Sequence, residues 1–328
     1  MSFFVAAAKC RPSKQVPTMQ PSQLTSGDVI ADRRADYAKM LDDGGEADAA
    51  AELMEQALDL APHWAAGWYR LATYREKAGN RAGAIEAYRR TLDLGPDDIF
   101  GAGLKLALLG DIAIPDQPPS SYVERLFDDY ADRFETSLVE KLDYSVPQKL
   151  ASLVASTGRR YRFGVDLGCG TGLLGPEIRD RVDRLEGFDL SQNMLAKAAD
   201  KHVYDHLAQA DLSLAPKATG LFADGPEHRA DLVTAADVLM YLGNLESVFD
   251  AIVALSAPSA DFAFSVEDAG EGEGFHLAPS LRYAHSEPYV RGLCARHGIQ
   301  VMDMTRTAIR KDGANVILGI LFLARKRA

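Results

Sequence analysis

Asp166-Leu167-Gly168-Cys169-Gly170-Thr171-Gly172 sets a carboxylate directly ahead of three glycines at alternate positions. A glycine-rich turn between a strand and a helix lets main chain approach a bound nucleotide closely. Dinucleotide turns space their glycines G-x-G-x-x-G. Here the sixth position is Leu173, and the spacing is G-x-G-x-G. A second carboxylate, Asp189, follows 23 residues after Asp166. At the end of the next strand, an acid can accept hydrogen bonds from both hydroxyls of a ribose. The three cysteines, Cys10, Cys169 and Cys294, are too few for a disulfide framework and form no CxxC pair, so no metal is expected.

These residues need elements to position them, and alternating strand and helix patterns supply them. Residues 162–167 form a short apolar strand running into the glycine loop, and residues 185–190 form the next, ending on Asp189-Leu190. Ser191 caps a helix whose face carries Met194, Leu195 and Ala198. Residues 231–236 and 261–266 read as further strands. Strands with helices between them imply right-handed βαβ units and a mostly parallel sheet. Residues 299–309 and 315–326 are β-rich runs joined by Lys311-Asp312-Gly313-Ala314, which predicts a terminal antiparallel hairpin. Ahead of the first strand, residues 122–142 carry a helical apolar stripe that includes Phe127, Tyr130 and Phe134, and Pro147 starts another helix.

At 328 residues the chain suits two domains. A 47% hydrophobic and 25% charged composition excludes a largely disordered protein, and no apolar run is long enough for a membrane span. With 36 Lys and Arg against 47 Asp and Glu, the net charge of -11 gives no field to attract nucleic acid. The basic Arg325-Lys326-Arg327 reads as a solvated tail. The apolar residues 3–8 lack a basic flank and are shorter than a signal-peptide core; three prolines follow within residues 11–27. Residues 1–27 are therefore expected to be a poorly ordered lead-in, and the chain cytoplasmic.

From Ala31 the chain repeats itself at a period of 34: Ala50 and Ala84, Met54 and Tyr88, Leu58 and Leu92, Pro62 and Pro96. Residues 65–98 resemble the tetratricopeptide (TPR) repeat family through Trp68, Leu71, Gly79, Ala84, Tyr88, Leu92 and Pro96, with Ala72 in place of the usual glycine and the following aromatic one place early as Tyr74. Residues 31–64 are a weaker copy, and residues 99–110 read as a closing helix. The array, residues 28–110, is either a packing appendage or a docking groove for a protein. A Pro-rich linker over residues 111–121 separates it from residues 122–328, and Ser121 is expected to cap the next helix.

The glycine loop resembles the first motif of class I S-adenosylmethionine (SAM) methyltransferases. Asp189-Leu190-Ser191-Gln192-Asn193-Met194-Leu195 resembles the second, Asp211-Leu212 the third, and residues 231–242, with Ala236, the fourth. The resemblance covers residues 122–328 and implies a Rossmann-like α/β domain with a seven-stranded sheet, after an α-helical repeat region. It implies SAM as cofactor, bound by Asp166, Gly168, Gly170, Gly172, Asp189, Leu190, Asp211, Leu212 and Ala236; Tyr130 and Phe134, one helical turn apart, either cover it or pack in the core. Residues 127–134, Leu142-Asp143-Tyr144 and Arg282-Tyr283-Ala284-His285-Ser286 resemble the bacterial group of predicted methyltransferases with N-terminal TPR repeats. That likeness implies architecture and cofactor but no acceptor. If the acceptor must lose a proton, the candidate bases are His285, His276 and Tyr241, with Asp237 and Tyr283 beside them. The glycine-rich residues 270–276 read as a flexible loop able to form a lid. Three functions stay open: methyl transfer to oxygen or nitrogen of a small molecule, methylation of a protein docked on the repeats, and a non-catalytic SAM-binding scaffold. Homo-oligomerisation stays open too.

Overall fold

A computed structural model describes residues 24–133, 144–312 and 315–327. The expected cover from Phe134 and the tip of the terminal hairpin at Gly313-Ala314 lie outside the described residues. The chain divides at Leu94/Gly95 into two compact units.

The first unit is helical: α1 (Val29–Asp43), α2 (Ala47–Leu58), α3 (Ala65–Lys77) and α4 (Arg81–Leu94), each packed on the next. Asp28 caps α1 by accepting from the N–H groups of Ile30 and Ala31. Small side chains let the helices approach closely. Ala31, Ala35 and Ala38 of α1, Ala50 and Ala57 of α2, and Ala84 and Ala87 of α4 are all fully buried.

The second unit begins with α5 (Ala102–Leu108) and α6 (Ser120–Tyr130). The sequence reads the first of these as the last helix of the repeat array. Instead Leu104 and Ala107 pack with Leu277 and Tyr283, far along the chain in this same unit. Ser121 does not cap α6. The helix starts one residue earlier, and the Ser121 hydroxyl donates to the Asp97 carbonyl.

An α/β sheet follows. Its elements are α7 (Val146–Ser156), β1 (Tyr161–Leu167), α8 (Gly175–Ile178), β2 (Val182–Asp189), α9 (Gln192–Asp200), β3 (His206–Gln209), β4 (Ala230–Ala235), α10 (Glu246–Leu255), β5 (Ser256–Asp268), β6 (Phe275–Leu277), β7 (Tyr283–His285), α11 (Glu287–Arg296), β8 (Ile299–Asp312) and β9 (Asn315–Lys326). Strands β3, β2, β1, β4 and β5 lie side by side in parallel, and β9 then β8 close the edge antiparallel. Among the described residues the sheet has nine strands rather than the expected seven. The two extra ones, β6 and β7, form an antiparallel pair where the sequence suggests a flexible loop. Glu267 of β5 pairs with Ala284 of β7 and with Gly319 of β9. Those strands therefore flank opposite edges of β5, and β7 continues the edge that β4 occupies lower down.

Period-two alternation splits the core between the two faces of the sheet. Phe262, Phe264 and Val266 of β5 and Ile320, Phe322 and Ala324 of β9 face α10 and α11. Ala263, Leu321 and Leu323 face α7 and α8. Phe264 stacks between Phe262 at 4.2 Å and Phe322 at 5.0 Å, and Phe249 of α10 meets it edge-on. Each such buried ring contributes roughly 1.5–3 kcal/mol by burial. This rigid centre fixes the carboxyl ends of the strands, where the functional loops stand. No helix among the described residues is long and apolar enough to cross a membrane.

Candidate functional site

The loop after β1 turns only because its glycines adopt left-handed backbone: φ is 62° at Gly168, 54° at Gly170 and 82° at Gly172. A Cβ on Gly168 would sit 2.3 Å from Val238 Cγ2, and one on Gly172 would sit 2.9 Å from the Tyr204 ring. The loop is thus pressed against the segment after β4 on one side and the approach to β3 on the other.

Two carboxylates flank this loop, and one of them holds it. Asp189 Oδ2 accepts from the Gly170 N–H at 2.9 Å, and its Oδ1 accepts from the Ser191 N–H at 2.9 Å. Asp166 is 1% exposed and accepts from the Tyr204 hydroxyl at 2.7 Å and the Thr234 hydroxyl at 2.8 Å. Burial pushes both acids up to about 6, against the lowering effect of those hydrogen bonds. A rise of about two units disfavours a charged carboxylate by roughly 3 kcal/mol. After β3, Asp211 Oδ1 accepts from the Ser213 N–H at 2.9 Å and the Ser213 hydroxyl at 2.6 Å.

Helix α6 is strapped across the ends of β2 and β3. The Ser191 hydroxyl donates to Asp128, and Gln209 Nε2 donates to Glu124 at 3.0 Å and to the Leu190 carbonyl at 2.7 Å. The apolar side of α6, with Val123, Phe127 and Tyr130, becomes a wall, and Phe127 meets Tyr241 edge-on at 4.8 Å.

Between these parts lies a cavity of about 340 Å³. Eleven of the expected site residues line it: Asp166, Gly168, Gly170, Asp189, Leu190, Asp211, Leu212, Ala236, Tyr130, Tyr241 and Asp237. Gly172 does not reach it and serves the packing against Tyr204. His285 and His276 are not on its wall either. His285 is fully buried, with Nε2 2.9 Å from the Gly243 carbonyl and its ring stacked on Tyr289. Burial pulls it down to about 4. It is therefore a neutral core residue at physiological pH, which counts against the expected role as base. His276 sits on the outward face of β6, exposed. Tyr283 is buried, and its hydroxyl donates to the Pro115 carbonyl at 3.0 Å.

The loops after β4 and β5, together with β8, bring a charged cluster to the cavity instead. Arg310 donates to Asp237 at 2.7 Å and to Glu267, and Arg282 Nε lies 3.0 Å from Glu267. Asp237, Arg282, Arg310, Tyr144 and Tyr241 all line the cavity. Sequence reasoning named Asp237 among the candidate bases, singled out Tyr144 and Arg282 only within motifs of the resemblance and without a role, and missed Arg310. Arg282 stands immediately before the singled-out Tyr283, and strand alternation gave the only signal that Tyr283 and His285 share a face. His202 and His206 are four apart, but one lies in a turn and the other on β3. Among the described residues, no group of three or more His, Cys, Asp or Glu could hold a metal ion.

The family model described as a methyltransferase domain matches residues 138–302. A malonyl-[acyl-carrier protein] O-methyltransferase of Enterobacter lignolyticus is 26% identical over 168 residues, covering 50% of this chain and 60% of the relative. A ubiquinone biosynthesis O-methyltransferase of Azoarcus sp. is 33% identical over 103 residues, covering 31% of this chain and 42% of the relative. The chain thus spans less than two thirds of the curated relatives it matches. Among solved structures, the [4+2]-cyclase SpnF superposes with a TM-score of 0.50 at 15% identity, over 65% of this chain and 98% of that one. The 1,6-didemethyltoxoflavin-N1-methyltransferase of Burkholderia thailandensis gives a TM-score of 0.49 at 19% identity, over 66% and 94%. The family match spans half of the chain and starts among the residues just ahead of α7, taking in the glycine loop, Asp189, Asp211 and the β4 segment: the chain belongs to the methyltransferase-domain family.

Proposed function

We propose that this chain is a SAM-dependent methyltransferase acting on an oxygen or nitrogen atom of a small molecule. One observation carries the reading: a single cavity joins the acids and glycine loop of the β1–β3 side to a separate polar set on the β4–β8 side. In open α/β sheets, ligands bind outside the carboxyl ends of strands, where the strand order reverses. Here that point lies between β1 and β4.

The residues fit the cofactor. Gly168 leaves the loop without side-chain bulk at the cavity, and Thr171 Oγ1 is buried there with no hydrogen-bond partner among the described residues. In this reading Asp189 takes the ribose hydroxyls, Asp166 and the glycine loop the amino-acid portion, and Asp211 with Leu212 the adenine. Tyr130 covers them from α6. SAM supplies a methyl group already activated on a sulfonium. The protein's remaining task is to hold an acceptor in line, about 3 Å away. The relatives named above are O-methyltransferases, which makes oxygen the first acceptor atom to test. Closure by α6, and by residues Pro118 and Ser120 of the Pro-rich segment, suits a small molecule better than a protein side chain.

For the first unit, we read α1 to α4 as two TPR repeats. Gly45 and Gly79, 34 residues apart, both take left-handed backbone at the turns, with φ of 85° and 78°. The paired positions Ala50 and Ala84, and Met54 and Tyr88, are all fully buried. A protein partner, if one binds, would dock there. The buried free thiols Cys169 and Cys294 suit a reducing cytoplasm.

The test is methyl transfer from radiolabelled SAM to the small-molecule fraction of a cell extract and, separately, to its protein fraction. Label in small molecules is expected. Label in protein alone would move the acceptor to the docking alternative, and a preference for NAD over SAM in calorimetry would overturn the reading.

A further inference from the structure

The β4–β8 side of the cavity contains a carboxylate whose bonding is half complete. Asp237 stands two residues beyond the end of β4 with φ of 58°, a left-handed conformation that is costly for a non-glycine residue and recurs at functional sites. Its N–H donates to Ser265 Oγ at 2.8 Å, and its Oδ2 accepts from Arg310 at 2.7 Å. Its Oδ1 is buried and takes no hydrogen bond among the described residues. A strained backbone and an open acceptor therefore coincide in one residue of the cavity wall. Such an unsatisfied group in a packed protein calls for a donor that the fold itself does not supply.

The surroundings keep this group in place. Arg310 reaches it from β8 and is itself held by Glu267 of β5. Arg282 approaches from the residue before β7, Tyr241 from the turn Leu239–Tyr241, and Tyr144 from the residues ahead of α7. Strand β4 neighbours β1, with Thr234 opposite Asp166, so Asp237 and the glycine loop follow adjacent strand ends and line the same cavity. An acceptor lying between them would touch Asp237 on one side and the methyl donor on the other.

We propose that Asp237 is the general base of the methyl transfer, with Oδ1 receiving the proton of an acceptor O–H or N–H. This rests on the methyltransferase reading above. In the step, a lone pair of the acceptor oxygen or nitrogen forms the bond to the methyl carbon. The sulfur–carbon bond breaks and its electron pair stays on sulfur, neutralising the sulfonium. The acceptor proton passes to Asp237 Oδ1, so a cation and a carboxylate become two neutral groups. Arg310 is a positioning residue: it fixes Oδ2 and stabilises the ionised form. Burial works against it and raises Asp237 from the usual carboxylate range, in the direction a base working near neutral pH requires.

The experiment measures initial rates from tritiated-methyl SAM, at saturation, to the low-molecular-weight fraction of a cell extract between pH 5 and 9. Wild type, Asp237→Asn and Arg310→Gln are compared, with SAM affinity measured separately by calorimetry. Asp237→Asn should lower the rate roughly 10²- to 10⁴-fold while SAM affinity stays within about threefold. The wild-type rate should fall on the acid side with unit slope, and Arg310→Gln should move that limb to higher pH. An Asp237→Asn rate equal to wild type, or an acid limb that Arg310→Gln leaves in place, overturns the proposal and leaves the methyltransferase reading standing. A wild-type protein that binds SAM but labels nothing overturns both. Should Asp237→Asn fail to fold, the limb shift in Arg310→Gln decides alone.

Discussion

Asp166 and Asp189 flank the glycine loop as buried acids, so the proposed cofactor binding should be sensitive to pH. Both are raised to about 6 by burial, so both are largely ionised at pH 7.5 and protonated below pH 5. Only the ionised form can accept from ribose hydroxyls and an α-ammonium at once. SAM affinity should therefore be strong at pH 7.5 and weaken as pH falls through about 6, by up to about tenfold per unit for each group. Calorimetry at pH 8, 6.5 and 5.5 reads this directly; a flat profile would contradict the assignment. Asp189→Ala should cost about 1.5–3 kcal/mol, roughly 10- to 150-fold in affinity at pH 7.5. Stability runs the other way for these acids. Their folded pKa lies above the unfolded value near 4, so their favourable contribution is full below about 4 and lost as pH rises through about 6. His285 has the opposite sign. Its folded value, about 4, lies below the ordinary 6.5, because the charged form is excluded from the core. The unfolded chain takes up the proton first, so stability drops as pH falls from 6.5 toward 4, by up to roughly 3 kcal/mol. His285→Gln should keep SAM affinity within about twofold, lower the denaturation midpoint at pH 7 and flatten the loss between pH 7 and 5. Loss of SAM binding in a folded His285→Gln protein would argue against a purely structural role.

The elements differ in how far their residues announce them. Strands β1, β2, β4, β8 and β9 were legible because each is a run of apolar or β-branched residues bounded by turn signals. Strands β6 and β7 have three residues each, too few for a period to show, and Gly270, Gly272 and Gly274 made their approach read as open loop. The half of the cavity wall that carries the glycine loop is legible because one loop and two strand ends bring it there in chain order. The other half is not, because it depends on side-chain direction. The pairing of β8 with β9 slips between Ala308 and Arg310, so counting alternate residues along β8 does not say where Arg310 points. Helix α5 looked like one more repeat helix because its partners, Leu277 and Tyr283, lie about 170 residues away in the chain. The glycine loop itself allows a controlled comparison. Gly168→Ala combines φ of 62° with a Cβ 2.3 Å from Val238, whereas Gly158→Ala, at φ of 67°, meets nothing within 4 Å. Gly158→Ala should cost only the backbone term, about 1–2 kcal/mol, with SAM affinity unchanged. Gly168→Ala should cost more than that in denaturation and should lose SAM affinity at least tenfold, because the loop must shift away from Val238. Equal stability losses in the two variants would show that the loop yields more easily than its contacts suggest.

For the whole molecule, the decisive question is where the methyltransferase unit begins. Sequence alone places the boundary in the Pro-rich residues 111–121, with residues 28–110 as a separate array. The structure ties that segment and α5 into the unit. The Asn244 N–H donates to the Asp116 carbonyl at 2.8 Å, Gln117 Nε2 donates to the Asn244 carbonyl, and the Tyr283 hydroxyl donates to Pro115. Pro118 and Ser120 line the cavity, and a Cβ on Gly243 would meet the Asp116 carbonyl at 2.6 Å. Leu104 and Leu106 of α5 are at most 2% exposed. A chain beginning at Pro119 would give up the burial of those two leucines, roughly 1.5–3 kcal/mol each. It would also strip partners from the Asn244 N–H and the Tyr283 hydroxyl, at about 1 kcal/mol or more apiece. Together these losses approach the total stability of an ordinary domain, about 5–15 kcal/mol. A chain beginning at Gly95 keeps all of them. The expected outcome is a Gly95 start that folds and binds SAM within about twofold of the full chain, and a Pro119 start that is largely unfolded or melts far lower. Thermal denaturation and calorimetry on the two truncations check this. If the Pro119 start binds SAM normally, the 95–118 segment is a passive cover. If the Gly95 start folds but does not bind, the division at Leu94/Gly95 is not a functional one.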